Sequence, residues 1–182
     1  MKKGARFLGV DDASFSLEDE HATVTGVVYR GTEFVEDIRF SEVEVDGDDA
    51  TETVRELHSS CNNPRQIQAV LVDGLCLAGF NLVRINELAE EMEKPVLAVT
   101  SNEPSREKFR ATMEKSGKSC GSLSEVPEAE EIQLEDGKIY VQACGISMDE
   151  AEQLLRSLCI NGTVPEPVRL AHLIGARLDE AK

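Results

Sequence analysis

No apolar run in the sequence approaches the roughly 20 residues of a membrane span. The opening, MKKGARFLGVDD, also lacks the ~7–15-residue apolar stretch of a signal peptide, because two lysines lead into a short apolar run and then into acids. Both absences predict a cytoplasmic protein with no membrane partner. The five cysteines (Cys61, Cys76, Cys120, Cys144 and Cys159) are odd in number and never form a CxxC pair. A disulfide framework and a zinc ribbon are therefore not expected, and the thiols should be free. His21, His58 and His172 are too dispersed to mark a zinc cluster. The segment from Gly74 to Gly79 has no phosphate-binding lysine, which excludes a P-loop.

Basic residues are also scarce. Lys and Arg number 19 against 35 Asp and Glu, for a net charge of −16. Nucleic-acid-binding surfaces carry a basic footprint. Such a surface would have to be a local patch near Arg84, Lys94, Arg106, Lys108 and Arg110, or belong to a generally acidic protein of a salt-adapted host. Composition does not choose between these.

What is present is ordinary globular material. A chain of 182 residues, 41% hydrophobic and 30% charged, suits one domain spanning residues 1–182 with a sizeable core. Arg6 to Val10 reads as a short buried strand that ends at two acids. HATVTGVVYR and TEFVEDIRFSEVEV alternate apolar and polar residues with the period of strands. Arg30-Gly31 between them suits a tight hairpin with positive φ at the glycine. In the second of these strands Phe34, Ile38 and Phe40 share a face, and Val43 and Val45 then require a register change or a bulge.

Asp49 and Glu52 form a capping-box pattern that opens a helix over DDATETVRELHSS. IQAVLVDG then reads as a buried strand, FNLVRINELAEEMEK as a helix, and PVLAVT as another buried strand. That succession is a β-α-β crossover with parallel pairing. A helix over residues 103–116 with Pro104 in its first turn and a loop over 117–131 follow. Next come a strand–turn–strand in EIQLEDGKIYVQACG, a helix capped by Ser147, and a last helix beginning near Pro165. The fold class is α/β, with α+β character in a mixed sheet.

Acids sit where strand ends meet loops. Asp11 and Asp12 follow the first strand, Asp73 closes AVLVD, and Asp48, Asp49 and Glu52 surround a helix start. Carboxylates gathered at strand ends repel unless a cation compensates them. Hard oxygen ligands suit Mg²⁺ or Mn²⁺, ions that activate water and stabilise an in-line phosphodiester displacement. In a chain with 35 acids, any one strand-end acid is more often a solvated turn residue, and Asp73-Gly74 alone is only a turn signal. Cys144 is a better buried structural thiol than a nucleophile, and His172 on an apolar helix reads as a packed or capping side chain.

The segments FLGVDDASF, VTGVVYRGTEF, VEVDGDDATE, VLVDGLCLAGFNLVRINEL, KPVLAVT and PEPVRLAHLI resemble the archaeal endonuclease dU family in order and spacing across nearly the whole chain. A more distant resemblance is to endonuclease V. Its GVD is matched by Gly9, Val10 and Asp11, its VDG by Val72, Asp73 and Gly74, and its PEP and following arginine by Pro165, Glu166, Pro167 and Arg169. The resemblance implies a ribonuclease-H-like fold with a central mixed sheet flanked by helices. It also implies a metal-dependent endonuclease cutting DNA, or RNA, at or near deaminated bases, with deoxyuridine and DNA repair suggested by the family. Asp11, Asp73 and Asp49 would then hold Mg²⁺ or Mn²⁺, with Glu52 assisting.

The sequence departs from endonuclease V where that family has a glutamate, a place for which Asp48, Asp49 and Glu52 compete. It departs again at a late histidine, whose place falls on Cys144, with His172 able to supply an imidazole. The family's aromatic wedge has no match in DIRFSEVEV. Two other readings stand beside the nuclease: a catalytically silent nucleic-acid-binding or scaffold protein on the same fold, and a small-molecule phosphohydrolase using the same acids.

Overall fold

Strand alternation organises the molecule. In the computed structural model, which describes residues 4–115 and 126–178, β1 (Arg6–Asp12), β2 (His21–Arg30) and β3 (Phe34–Glu44) form an antiparallel meander. β4 (Ile67–Asp73) then joins β1 in parallel, and β7 (Val96–Thr100) joins β4 in parallel. β8 (Glu130–Leu134) and β9 (Gly137–Cys144) close the far edge as an antiparallel hairpin, with β9 against β7. The order across the seven-stranded sheet is β3-β2-β1-β4-β7-β9-β8. β4 and β7 pair in parallel as the crossover pattern predicts, and the strands carrying Asp11 and Asp73 are parallel neighbours as well.

The central strands are apolar on both faces because both are covered. Leu8, Val10, Val70, Val72, Val96 and Ala98 pack into a core with α1 (Ala50–Ser60) and α2 (Ile85–Met92). Phe7, Ala69, Leu71, Leu97 and Val99 point the other way, toward α4 (Met148–Leu158) and Val168 of α5 (Glu166–Leu178). α5 lies over β1 and β2. The expected hairpin at Arg30 is present, with Gly31 at φ 61° and its N–H donating to Ala5 O at 2.6 Å. Ser147 caps α4 in a reciprocal box with Glu150. The described cysteines, Cys61, Cys76, Cys144 and Cys159, are free thiols, and Cys120 lies outside the described residues.

Several local expectations are corrected. The first strand extends through Asp12, so both acids belong to it. The bulge sits between Val28 and Tyr29 rather than near Val43. It puts Phe34 on the face opposite Ile38 and Phe40, and plain alternation then buries Val43 without further distortion. The helix expected from Phe80 begins only at Ile85. Residues before it form a small hairpin of β5 (Cys76–Leu77) and β6 (Asn81–Leu82).

The cause is tertiary. Buried Asn81 accepts from Ala50 N at 2.8 Å, satisfying the start of α1, and its Nδ2 donates to Glu44 O and to Asp49 Oδ1. The capping box at Asp49 does not form, since the Asp49 carboxylate also accepts from Glu44 N at 3.3 Å and gives no side-chain cap to α1. α3 (Arg106–Lys115) starts after Pro104 rather than on it, and residues 116–125, which hold its expected end and most of the expected loop, lie outside the described residues.

Candidate metal centre

The register of the parallel pair builds the site. Gly9 lies opposite Leu71 and Val10 opposite Val72, so one step further Asp11 and Asp73 stand side by side at the carboxyl ends of β1 and β4. Both continue the face that Leu71 shares with α4 and α5. Helix α5 reaches that face because Gly9 has no side chain. A Cβ there would stand 2.2 Å from the backbone carbon of Pro167. From that close approach α5 runs over β1, with Val168, Ala171 and Gly175 buried on one stripe. His172, beside Ala171, projects at the acids, and its Nδ1 lies 2.8 Å from Asp11 Oδ2. Glu166 and Arg169 are joined in a two-point ion pair at the start of the helix, at 2.6 and 2.8 Å.

Asp11, Asp73 and His172 each offer one ligand atom, and those atoms lie within 4.8 Å of one another. Among the described residues no other group of three or more His, Cys, Asp or Glu side chains converges in this way. Asp11 is 4% exposed, while the His172 side chain is 64% exposed, so the cluster opens to solvent on the helix side. Electrostatics mark the same place. Burial, then the charges of Asp73 and Asp12, push the Asp11 carboxyl up to about 7 against the pull of His172. Asp73 is raised as well, first by burial. Asp12 faces the opposite way, accepts from Ala78 N at 2.9 Å, and is raised by burial.

The remaining acids of the sequence reading are elsewhere engaged. Asp48 pairs with Arg84 at 2.5 Å, Asp49 is held by Asn81 and the Glu44 amide, and Glu52 pairs with Arg55 at 2.6 Å. None of the three belongs to the converging group. His172 is neither packed nor capping, because it is an exposed side chain on Asp11. Sequence signals for that placement were slight: a histidine next to the buried stripe of the last helix, with nothing to say which strand the helix covers. Cys144, at the end of β9, is separated from β4 by β7 and has its thiol pushed up by burial. The expected basic patch is divided. Arg84 is spent on Asp48, Lys94 donates to Arg65 O, and Arg106 and Lys108 line a cavity beyond Gly74.

The profile of the endonuclease dU family matches residues 3–178. The chain belongs to the endonuclease dU family. Among its relatives, a UPF0215 protein of Archaeoglobus fulgidus is 35% identical over 178 residues, covering 98% of this chain and 95% of its own. One of Methanothermobacter thermautotrophicus is 31% identical over 195 residues, covering 100% and 92%. A crystal structure of an Archaeoglobus fulgidus protein of unknown function superposes with a TM-score of 0.84 at 32% identity, covering 95% of this chain and 97% of that one.

This endonuclease dU family member also shares its fold with endonuclease V. The Ciona intestinalis enzyme, solved with a 24mer DNA containing an inosine followed by a ribo-adenosine, gives a TM-score of 0.65 at 15% identity over 99% of this chain and 88% of that one. Human endonuclease V gives 0.64 at 18% identity over 98% and 87%. The fold is therefore ribonuclease-H-like, and the family points to a nuclease.

Proposed function

We propose that this protein is a Mg²⁺- or Mn²⁺-dependent endonuclease that cuts DNA at or near deaminated bases, deoxyuridine first among them, and so serves DNA repair. The observation that carries the reading is the convergence of Asp11, Asp73 and His172 at the carboxyl ends of two parallel strands. The donor set fits the ion: two carboxylates made costly to ionise by burial and mutual repulsion are hard oxygen ligands relieved by Mg²⁺ or Mn²⁺, and an imidazole beside them is tolerated better by Mn²⁺ than by Mg²⁺. A bound ion there would supply Lewis acidity and a water of lowered pKa beside a phosphodiester.

The chain's own residues do the rest. Asp11 and Asp73 provide the charge that holds the cation. His172 keeps Asp11 oriented through Nδ1, and its exposed ring can exchange a proton with solvent or with a leaving oxygen. Asp49 and Glu52 act instead on structure, as an anchor for the start of α1 and as a partner of Arg55.

The deciding experiment incubates the protein with oligonucleotides bearing a single uracil, inosine or abasic site, with Mg²⁺, with Mn²⁺ and with chelator. Metal-dependent strand scission by the native protein, absent from Asp73→Asn, is expected. Binding of these oligonucleotides with no scission under any metal would instead support a silent nucleic-acid-binding protein, a reading favoured by the thiol of Cys144 at the place the resemblance to endonuclease V gives to a histidine. The absence of both binding and scission would support a scaffold, which the net charge of −16 favours.

A further inference from the structure

Next to the acid pair lies a cavity of about 720 Å³ whose wall begins at Gly74, immediately after Asp73. It occupies the other face of the sheet. Ala98 and Gln142 are cross-strand partners, as are Thr100 and Tyr140, and Ala98 belongs to the core under α1 and α2. Phe80 and Phe109 line it with their rings edge to face, centroids 6.2 Å apart. Aromatic walls and this volume suit a planar ring lifted out of a strand.

One side chain on the floor is polar and 6% exposed: Gln142. Its Nε2 donates to Pro127 O at 2.9 Å. Because a backbone carbonyl only accepts, that bond fixes which way the amide faces. Oε1 is then the polar atom left for the cavity, and among the described residues nothing donates to it. An acceptor on the floor of a cavity with no protein donor is open to a ligand N–H.

We propose that Gln142 is a specificity-determining residue that reads deamination, its Oε1 accepting the ring N–H that deamination creates. The inference rests on the nuclease reading above. Deamination turns N3 of cytosine, a hydrogen-bond acceptor, into the N3–H donor of uracil, and N1 of adenine into the N1–H donor of hypoxanthine. A fixed acceptor attracts the product and meets only a lone pair on the parent. Carbonyls flank that N–H in uracil. The Thr100 hydroxyl, whose oxygen accepts from Asn102 N at 3.3 Å, keeps its proton for one of them. Thymine and guanine carry ring N–H groups of their own, so their exclusion falls to the shape of the aromatic walls, not to Gln142.

The test uses fluorescence anisotropy with single-stranded oligonucleotides identical except for one base: uracil, cytosine or 3-methyluracil. The native protein should hold the uracil strand on the order of tenfold more tightly than the cytosine strand. The 3-methyl analogue keeps both carbonyls but lacks the N–H, and should fall to the cytosine level. Gln142→Leu should bring uracil and cytosine within about twofold of each other, with Mn²⁺ affinity at the acid cluster unchanged. The analogue arm needs no variant, so it decides even where the Leu substitution unfolds the chain. Equal binding of uracil and 3-methyluracil by native protein, or a preference that survives in Gln142→Leu, overturns the assignment of Gln142. If the native protein cuts uracil-containing DNA yet ignores the methyl group, that assignment alone falls. If it neither prefers uracil nor cuts, the nuclease reading falls with it.

Discussion

The Asp11 carboxyl carries the sharpest consequence at the scale of single residues. In the folded chain it keeps its proton to about pH 7, whereas in the unfolded chain it would lose it near 3.8. Between those values the native state binds more protons than the unfolded state, so stability falls as pH rises from about 4 to 7. The Asn variant cannot ionise and escapes this loss. Asp11→Asn should therefore raise the melting temperature at pH 8, by the equivalent of roughly 2 to 4 kcal/mol, and by almost nothing at pH 4. Thermal scans of both proteins across that range read the effect directly, and a variant that is destabilised at pH 8 would contradict it.

The same substitution should abolish metal binding, which separates the stability cost of one side chain from its function. His172→Ala removes a side chain that is largely in water and orients Asp11, and should leave the melting temperature within about 0.5 kcal/mol equivalent of native. Its Mn²⁺ affinity should fall on the order of tenfold or more, less than in Asp73→Asn, as titration calorimetry can measure.

Two packing relations between elements place these residues. α5 comes within reach of the acids because Gly9 admits the backbone of Pro167. Gly9→Ala forces a methyl group into that contact, where a rigid backbone and not a flexible side-chain tip would have to yield. A loss of about 3 kcal/mol or more in urea unfolding is expected. Any folded remainder should bind Mn²⁺ more weakly than native, because the displaced helix carries His172 away from Asp11. The other relation concerns the hairpin of β5 and β6. Asp12 accepts from Ala78 N and Asp46 accepts from Phe80 N at 2.8 Å, so two carboxylates clamp the segment that lines the cavity beyond Gly74. A helical pattern over Phe80 to Arg84 loses to these bonds and to buried Asn81, since each satisfies a backbone or side-chain group that a helix there would strand.

The whole molecule carries a net charge of −16, to which the proposed cation site and the proposed polyanionic substrate would respond in opposite ways. Divalent ions bind the deprotonated cluster, so Mg²⁺ or Mn²⁺ should raise the melting temperature at pH 8 and scarcely at pH 5, with cleavage climbing through about pH 7 and then levelling. A profile flat across that interval would separate catalysis from Asp11. Nucleic acid would have to approach a protein with 19 basic against 35 acidic residues. Few phosphates can be neutralised, and the logarithm of DNA affinity should fall with the logarithm of salt with a slope shallower than about −3. Anisotropy titrations between low and moderate salt give that slope. Among the described residues no helix is long and apolar enough to cross a membrane.

Periodicity and local chemistry alone determined most of the architecture. The meander of β1 to β3, the parallel run through β4 and β7, the β8–β9 hairpin and the capped α4 are all legible because each is set by neighbours two to four residues away. Asp11 and Asp73 were each legible as acids at the ends of apolar runs, and the family resemblance put them in one site. Tertiary structure decided what depends on distant partners. Asn81 and Asp46 turned a helix start into a hairpin, and Asn81 drew Asp49 away from its cap and toward β3. The approach of Pro167 to Gly9 set α5 over β1 and brought His172 to Asp11 across 161 positions of chain. A helix's own pattern tells which of its faces is buried but not what that face meets, because that depends on the shape of a sheet assembled from residues far away in sequence.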